Sequence, residues 1–193
     1  MDNGVDITFV DDPAWRAAIT SVTFNGNTIT GGGTGYALSA GLLRLYPDGD
    51  TDLRTAGTAN VVVSATGYND AIVSQTLLPG VVSSMVITTQ PTAPLTSGGL
   101  FQQQPVLTLK DRFNNTCTNN STTEISVGIS GGMGSWTVSG TTPRTAVNGI
   151  VTFDDLTATN TTLADVTNAS LLFNSAGLSS VTSNTMTIPV PAG

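Results

Sequence analysis

The chain has 193 residues, of which 39% are hydrophobic and 10% charged, with one cysteine and no histidine. Its net charge of −7 repels nucleic-acid phosphates and anionic membranes, so we expect no nucleic-acid partner. No apolar run approaches the roughly 18–20 residues that span a bilayer, so we expect no membrane insertion. Histidine, cysteine and lysine carry most acid–base, nucleophilic and zinc chemistry, and only Cys117 and Lys110 represent them here. We therefore predict no catalytic residue and a protein that is not an enzyme.

The first predicted element is one short helix near residues 12–19. Asp12 can cap the free N–H groups of its first turn, and Pro13 suits the first helical position. Trp15 and Ile19 then share one face. We expect one or two turns held in place by Trp15.

Short apolar or alternating runs follow the helix at intervals of about ten residues, which is typical of β-sandwiches rather than of βαβ units. The pair Asn25-Gly26 predicts a tight hairpin, because both residues tolerate positive φ. The predicted strands of this region are Ser21–Phe24, Thr28–Thr30, Tyr36–Ser39, Leu42–Tyr46, Asn60–Ala65 and Ala71–Leu77.

A change of composition at Leu78-Pro79-Gly80 predicts a domain boundary, so we expect one module over residues 1–82 and another over residues 83–193. The second set of predicted strands is Ser84–Thr89, Val106–Lys110, Ile125–Ile129, Trp136–Ser139, Thr145–Val147, Ile150–Phe153, Ala169–Asn174 and Thr185–Val190. Strands of this number and length fit an immunoglobulin-like sandwich. We predict an all-β fold of two tandem immunoglobulin-like β-sandwich modules. The core of the second should contain Val86, Val106, Leu109, Ile125, Val127, Trp136, Val151, Phe153, Leu156, Leu172 and Ile188.

The second module contains a predicted strand that ends in Gln-Pro, within Ile87–Pro91. It also contains a strand opened by Gln-Pro that runs into an Asp-x-x-Asn turn, within Gln104–Asn114, and the same pattern continues in Ser139–Thr142 and Ala146–Leu156. In these segments the module resembles the bacterial immunoglobulin-like repeats of large surface proteins.

Three segments of the first module, Asp12–Trp15, Ile19–Gly26 and Ala65–Asp70, form a recognisable pattern. In these segments the module is similar to a small domain of Gram-positive surface proteins that has been likened to the haemoglobin-interacting domain of haem receptors. Both modules occur side by side in surface-layer (S-layer) proteins of bacilli. This resemblance implies a secreted subunit of a two-dimensional crystalline coat, often assembled with Ca²⁺.

The resemblance therefore predicts a structural module of an extracellular S-layer protein on the bacterial cell surface, excised from a longer chain. Its partners would be copies of itself in a lattice and neighbouring domains of that chain. The alternative is an adhesin-type module that binds a host protein, haem or a glycan. Haem would need Tyr36, Tyr46, Tyr68 or a methionine as its axial ligand. A further alternative is a non-catalytic accessory domain of a surface enzyme.

Calcium is the one predicted cofactor. Asp48, Asp50 and Asp52 occupy the first, third and fifth positions of an EF-hand-like spacing, but Leu53 stands where the sixth-position glycine belongs. The segment is therefore no EF-hand, and the alternatives are a looser calcium loop or a solvated turn. Asp111 is a further oxygen donor near a predicted strand end, and its alternative role is that of a turn residue. Together with Asp48, Asp50 and Asp52 it forms our predicted metal-ligand set.

Overall fold

The computed structural model describes residues 4–192, and the strand pairs within them are antiparallel. The predicted all-β class is confirmed. The backbone divides into two compact units, the first ending at Val81 and the second beginning at Val82. No helix in the described part of the chain has the length and apolar character needed to cross a membrane.

The first unit is a sandwich of two sheets. The strand order is β3-β2-β6-β7 in one sheet and β1-β5-β4 in the other. Its elements are β1 (Val5–Thr8), α1 (Pro13–Ala17), β2 (Ile19–Phe24), β3 (Asn27–Thr28), β4 (Tyr36–Ser39), β5 (Leu42–Leu45), a 3-10 turn (Thr51–Leu53), β6 (Gly57–Ala65) and β7 (Ala71–Leu77).

Alternating residues of the first unit build its core. Val22 and Phe24 of β2 and Val61 of β6 point to the same side of the four-stranded sheet and are buried. They pack with Leu43 and Leu45 of β5. This two-residue period is the pattern of a strand with one buried face, and it explains why these segments could be predicted from the sequence.

The predicted helix forms as α1, but it ends at Ala17, and Ile19, which was expected on its apolar face, is the first residue of β2. The Asp12 carboxylate accepts hydrogen bonds from the N–H groups of Ala14 at 2.8 Å and Trp15 at 3.1 Å. These bonds satisfy donors that have no partner inside the helix, and Pro13 starts it without an N–H of its own. The predicted turn at Asn25-Gly26 also forms, with φ values of 51° and 82°.

The second unit contains ten strands among its described residues. They are β8 (Ser84–Thr89), β9 (Val106–Lys110), β10 (Glu124–Gly131), β11 (Trp136–Ser139), β12 (Arg144–Thr145), β13 (Ile150–Thr152), β14 (Thr157–Asn160), β15 (Val166–Asn174), β16 (Val181–Thr182) and β17 (Met186–Ile188). The sheets have the orders β13-β9-β8, β12-β10-β15-β16 with β17 also on β15, and β11-β14.

Seven of the eleven predicted core residues of the second unit are buried, whereas Val106, Val127 and Leu172 are half-buried and Val86 is exposed. Val86 is 44% exposed, because its neighbours Met85 and Ile87 take the inward positions of β8. Leu172 lies between the fully buried Leu171 and Phe173. The errors at Val86 and Leu172 are one-residue shifts, because a strand with apolar residues on both faces does not reveal its inward set from the sequence.

Three strands were not predicted, namely β1, β14 and β16. Only Val5 and Ile7 are apolar in β1, and β14 reads Thr-Ala-Thr-Asn. These strands exist because partners pair with them: β14 lies along β11 over four residue pairs, and β1 lies along β5 over another four. Short polar strands of this kind depend on tertiary context more than on propensity.

Candidate functional site

One side of the first unit's sandwich is closed by hydrogen bonds between the two sheets. Thr30, which follows β3, accepts hydrogen bonds from Gly35 N–H at 2.8 Å and Tyr36 N–H at 3.0 Å. Its own N–H donates to the Asp50 carboxylate at 2.9 Å. The chain therefore joins β3 to β4 on this side, and the core is covered there.

The opposite side, between β1 and β7, opens as an apolar cleft of about 140 Å³, which we call the β7 cleft. Side chains of both sheets and of α1 line it. Apart from the Thr8 hydroxyl and the Trp15 indole N–H, the described side chains that line it carry no polar group. Its principal apolar residues are Ile7, Phe9, Trp15, Leu38, Val63 and Val73.

An aromatic pair forms one wall of the β7 cleft. The rings of Phe9 and Trp15 meet edge to face, with centroids 5.4 Å apart and an interplanar angle of 71°. Contacts of this geometry contribute about 0.5–1.5 kcal/mol beyond the burial of area. The Asp12 cap and an ion pair between Asp11 and Arg16 hold the helix that carries Trp15. These contacts position Trp15 against Phe9 at the cleft.

Strand β7 forms the rim of the cleft and is the outer strand of its sheet. Ile72 is 64% exposed and Val73 is 42% exposed. Val73 pairs with the buried Val61, so its side chain points toward the interior of the sandwich. It remains exposed because the opposing sheet has three strands, one fewer than the sheet of β7, and does not cover this edge. Edge strands usually carry charged residues or proline, which prevent pairing with a strand of another chain. Strand β7 contains neither.

A signal for this rim is present in the sequence but was not recognised. Ala71, Ile72 and Val73 are consecutive apolar residues. Strand β7 therefore lacks the alternation of apolar and polar residues that is expected of a strand with one solvent-exposed face. Such a run is typical of a strand covered on both faces. Here it lies in the outer strand of the sheet, so Ile72 and Val73 remain exposed in the first unit.

The predicted calcium residue Asp50 is a buried turn residue. One carboxylate oxygen accepts from Thr30 N–H at 2.9 Å and the other from Asp52 N–H at 3.0 Å. Burial raises the pKa of Asp50, but these N–H bonds outweigh it and hold the pKa below its usual value. Asp52 and Asp48 lie beside it in the chain, near the 3-10 turn.

Asp111, the fourth predicted ligand, belongs to the second unit and is buried. It accepts hydrogen bonds from the backbone N–H groups of Phe113 and Asn115, both at 2.9 Å. The Asn115 side-chain amide donates to it at 3.0 Å. These bonds close the turn after β9. Within residues 4–192 no three acidic or cysteine side chains form a metal-binding group.

Calcium binding therefore stays a prediction, and it has a direct test. If the segment around Asp48 binds Ca²⁺, EDTA will lower the melting temperature of calcium-equilibrated protein, since a ligand that binds only the native state stabilises it. The Asp48→Ala variant should lose this response, whereas Asp70→Ala should keep it. Equal melting temperatures of the wild type with and without EDTA would contradict the prediction.

The residues predicted as haem ligands lie away from the β7 cleft. None of Tyr36, Tyr46 and Tyr68 lines it, and no methionine does so among the described residues. Its volume is also below the roughly 300–1,000 Å³ of most small-molecule pockets. The cleft offers neither an axial ligand nor the space for a macrocycle.

A second, polar groove of about 510 Å³ lies in the second unit. Hydroxyl and amide side chains line most of it, together with the Glu124 carboxylate and Pro143. No aromatic ring lies among its described lining residues, so it has no platform on which a sugar could stack. The predicted glycan-binding alternative receives no support from this groove.

Comparison with known proteins gives one family match. Residues 1–78 match the family described as "Heme-binding protein Shr-like, Hb-interacting domain". The resemblance noted for the first module is thereby confirmed over the unit that contains the β7 cleft. The match does not extend into the second unit, whose relation to bacterial immunoglobulin-like repeats stays a prediction. No curated protein matches the chain.

Similar solved structures include the β-glucuronidase of Parabacteroides merdae, 13% identical with a TM-score of 0.37, and a glycosyl hydrolase family 2 member from Bacteroides cellulosilyticus, 12% identical with a TM-score of 0.41. The matches cover 86% and 94% of this chain but 20% and 26% of those enzymes. A chimeric titin Z1Z2 tandem is 15% identical over 91% of this chain and 86% of its own, with a TM-score of 0.28. Likenesses of this degree carry no argument about function.

Proposed function

We propose that this chain is a protein-binding region of a bacterial cell-surface protein, and that its first unit binds an apolar side chain of a partner in the β7 cleft. The observation that carries the proposal is an apolar cleft open at an unprotected edge strand. Exposed apolar surface on a soluble domain usually marks an interaction site. The family match over residues 1–78 supports the same assignment, because it covers the unit with the cleft.

The size and lining of the cleft favour a protein side chain over haem. A cavity of about 150 Å³ can hold one benzene molecule, so 140 Å³ suits one aromatic or large aliphatic side chain. Haem iron needs an axial ligand, and the residues that line the cleft provide none. The unit would then bind the protein part of a haem protein rather than the cofactor.

Haemoglobin is the first partner to test, because the matched family is described as interacting with Hb. Charge adds a second criterion for the partner. Residues 1–81 contain eight aspartates and three arginines, a net charge of −5. Such a surface attracts a positively charged partner surface and accelerates encounter with it.

Assembly into an S-layer lattice is the second candidate function. The support for it is the motif resemblance, together with an edge strand that could pair with a copy of itself. Lattice formation would appear as regular sheets in electron micrographs of the calcium-dialysed protein. Binding to haemoglobin would appear as a saturable 1:1 or 1:2 complex of the dispersed chain.

We expect Val73→Asp to weaken haemoglobin binding at least tenfold. The substitution places a carboxylate at the mouth of an apolar cleft, and leaving such a group without a partner costs more than the roughly 1.4 kcal/mol that corresponds to tenfold. Val86→Asp is the matched control, since Val86 is a strand valine of the second unit with nearly equal exposure. Isothermal titration calorimetry would measure both affinities.

Two results would contradict the proposal. Equal weakening by Val73→Asp and Val86→Asp would show that the β7 cleft is not the binding site. No measurable haemoglobin binding by the wild-type chain, combined with ordered sheets at high protein concentration, would favour the lattice.

A further inference from the structure

We propose that the partner segment binds as an added β-strand along β7, with one large apolar side chain inserted into the β7 cleft. This inference rests on the proposed function and specifies how the partner is recognised. Addition of a strand at a free sheet edge draws affinity from main-chain hydrogen bonds and specificity from a pocket for alternate side chains. The geometry of β7 meets both conditions.

The directions of the main-chain groups follow from hydrogen bonds elsewhere in the same sheet. Asn60 accepts a bond from Asn25 N–H at 3.0 Å, so the main-chain groups of Asn60 point toward β2. Main-chain direction alternates along an antiparallel strand, hence Val61 points toward β7 and pairs with Val73. Val73 therefore uses its N–H and C=O within the sheet.

The same alternation turns the next residues outward. Ile72 and Ser74 flank Val73, so their N–H and C=O groups point away from β6 toward the open edge. Thr76 also points outward, but its C=O already accepts a bond from the Gln75 side-chain amide at 2.9 Å. Ile72 and Ser74 together offer two donors and two acceptors to an incoming strand.

Side-chain direction then places one partner residue over the cleft. If the added strand runs antiparallel to β7, the residue opposite Val73 forms a non-hydrogen-bonded pair, in which Cα atoms lie about 4.5 Å apart and side chains are close. Directly opposite side chains share a face of the sheet, so this side chain points inward as Val73 does. It would meet the wall formed by Phe9 and Trp15.

The occupant is an extended, net basic loop or terminal segment of a different protein, with one aromatic or large aliphatic residue. Asp70 immediately precedes β7 and forms no ion pair within residues 4–192, which places an available negative charge beside the edge. A second copy fits less well. Its β7 would present only Ala71, Val73 and Gln75 to the cleft, and two units of charge −5 repel each other.

The first test compares Ser74→Pro with Ser74→Ala in haemoglobin titrations. Proline is tolerated on an edge strand where its missing N–H would face solvent, so both variants should fold with melting temperatures close to the wild type. Proline removes one donor to the partner, and we expect about tenfold weaker binding, whereas alanine keeps the N–H and should stay within about twofold.

The second test does not depend on a variant. In the free ¹⁵N-labelled chain, the amides of Ile72 and Ser74 should exchange rapidly with deuterium, while those of Ala71 and Val73 are protected by pairing with β6. Saturation with haemoglobin should protect Ile72 and Ser74 at least tenfold.

The outcomes separate the two proposals. If Val73→Asp weakens binding but the amides of Ile72 and Ser74 exchange unchanged in the complex, strand addition is wrong and the cleft assignment stands. Protection of these amides by increasing chain concentration alone would identify a second copy as the occupant and overturn the inference. No binding of haemoglobin would overturn both proposals.

Discussion

Trp136→Ala should lower the free energy of unfolding by about 3–5 kcal/mol, the range for removal of a large aromatic residue from a core. Trp136 is 2% exposed and packs in the core of the second unit. Alanine would therefore leave a cavity in this core. It would also remove a hydrogen bond, because the Trp136 indole N–H donates to the Gly131 carbonyl at 2.8 Å. Urea unfolding followed by circular dichroism would measure the loss.

Trp136→Phe is the informative control. Phenylalanine keeps most of the ring volume but has no N–H to offer Gly131, so its cost should be about 1–2 kcal/mol. The difference between the two variants separates packing from hydrogen bonding. A loss below about 1 kcal/mol for Trp136→Ala would show that the residue is not a core anchor of this unit.

Gly131→Ala should destabilise the protein by about 3 kcal/mol or more, chiefly because the added methyl group would collide with the backbone of the neighbouring strand. A Cβ atom at this position would lie 2.1 Å from the Asn168 carbonyl oxygen and 2.7 Å from the Ser170 hydroxyl. The pairing of β10 with β15 shifts register between Ile129 and Gly131, so the two backbones come close there. Neither backbone can move away without disturbing the ladder.

Gly128 provides a matched control in the same strand. No atom lies within 4 Å of a Cβ built there, so Gly128→Ala should change the free energy of unfolding by less than about 1 kcal/mol. Thermal unfolding of both variants would decide the prediction. Similar melting temperatures for the two would mean that β10 and β15 separate easily at the register shift.

Some of the predictions from the sequence depended only on neighbouring residues, and these succeeded. The Asp12 cap, the Pro13 start and the Asn25-Gly26 turn each arise from contacts within a few residues. Strands with one apolar face, such as β2, were recognised for the same reason. Val86 was placed on the wrong face because β8 is apolar on both faces over Met85–Ile87, and only pairing with β9 fixes its register.

The aspartates show where local inference ends. Asp50 lies within an acidic segment that resembles a metal loop, yet its carboxylate binds Thr30, which is 20 residues away in the chain. Asp111 binds groups only two to four residues ahead, a turn role that the sequence did offer as an alternative to calcium. Sequence spacing alone could not show which donors would reach either carboxylate.

The all-β class, the short helix α1 and the tight turn could be predicted from local sequence, because strand alternation, helix capping and positive φ are properties of a few consecutive residues. The existence of an apolar cleft could be recognised only from the folded arrangement of the strands. It arises because a three-stranded sheet packs against a four-stranded one and leaves β7 uncovered. Strand order is set by long-range pairing, and the residues that meet in the cleft are far apart in the chain, from Ile7 to Val73.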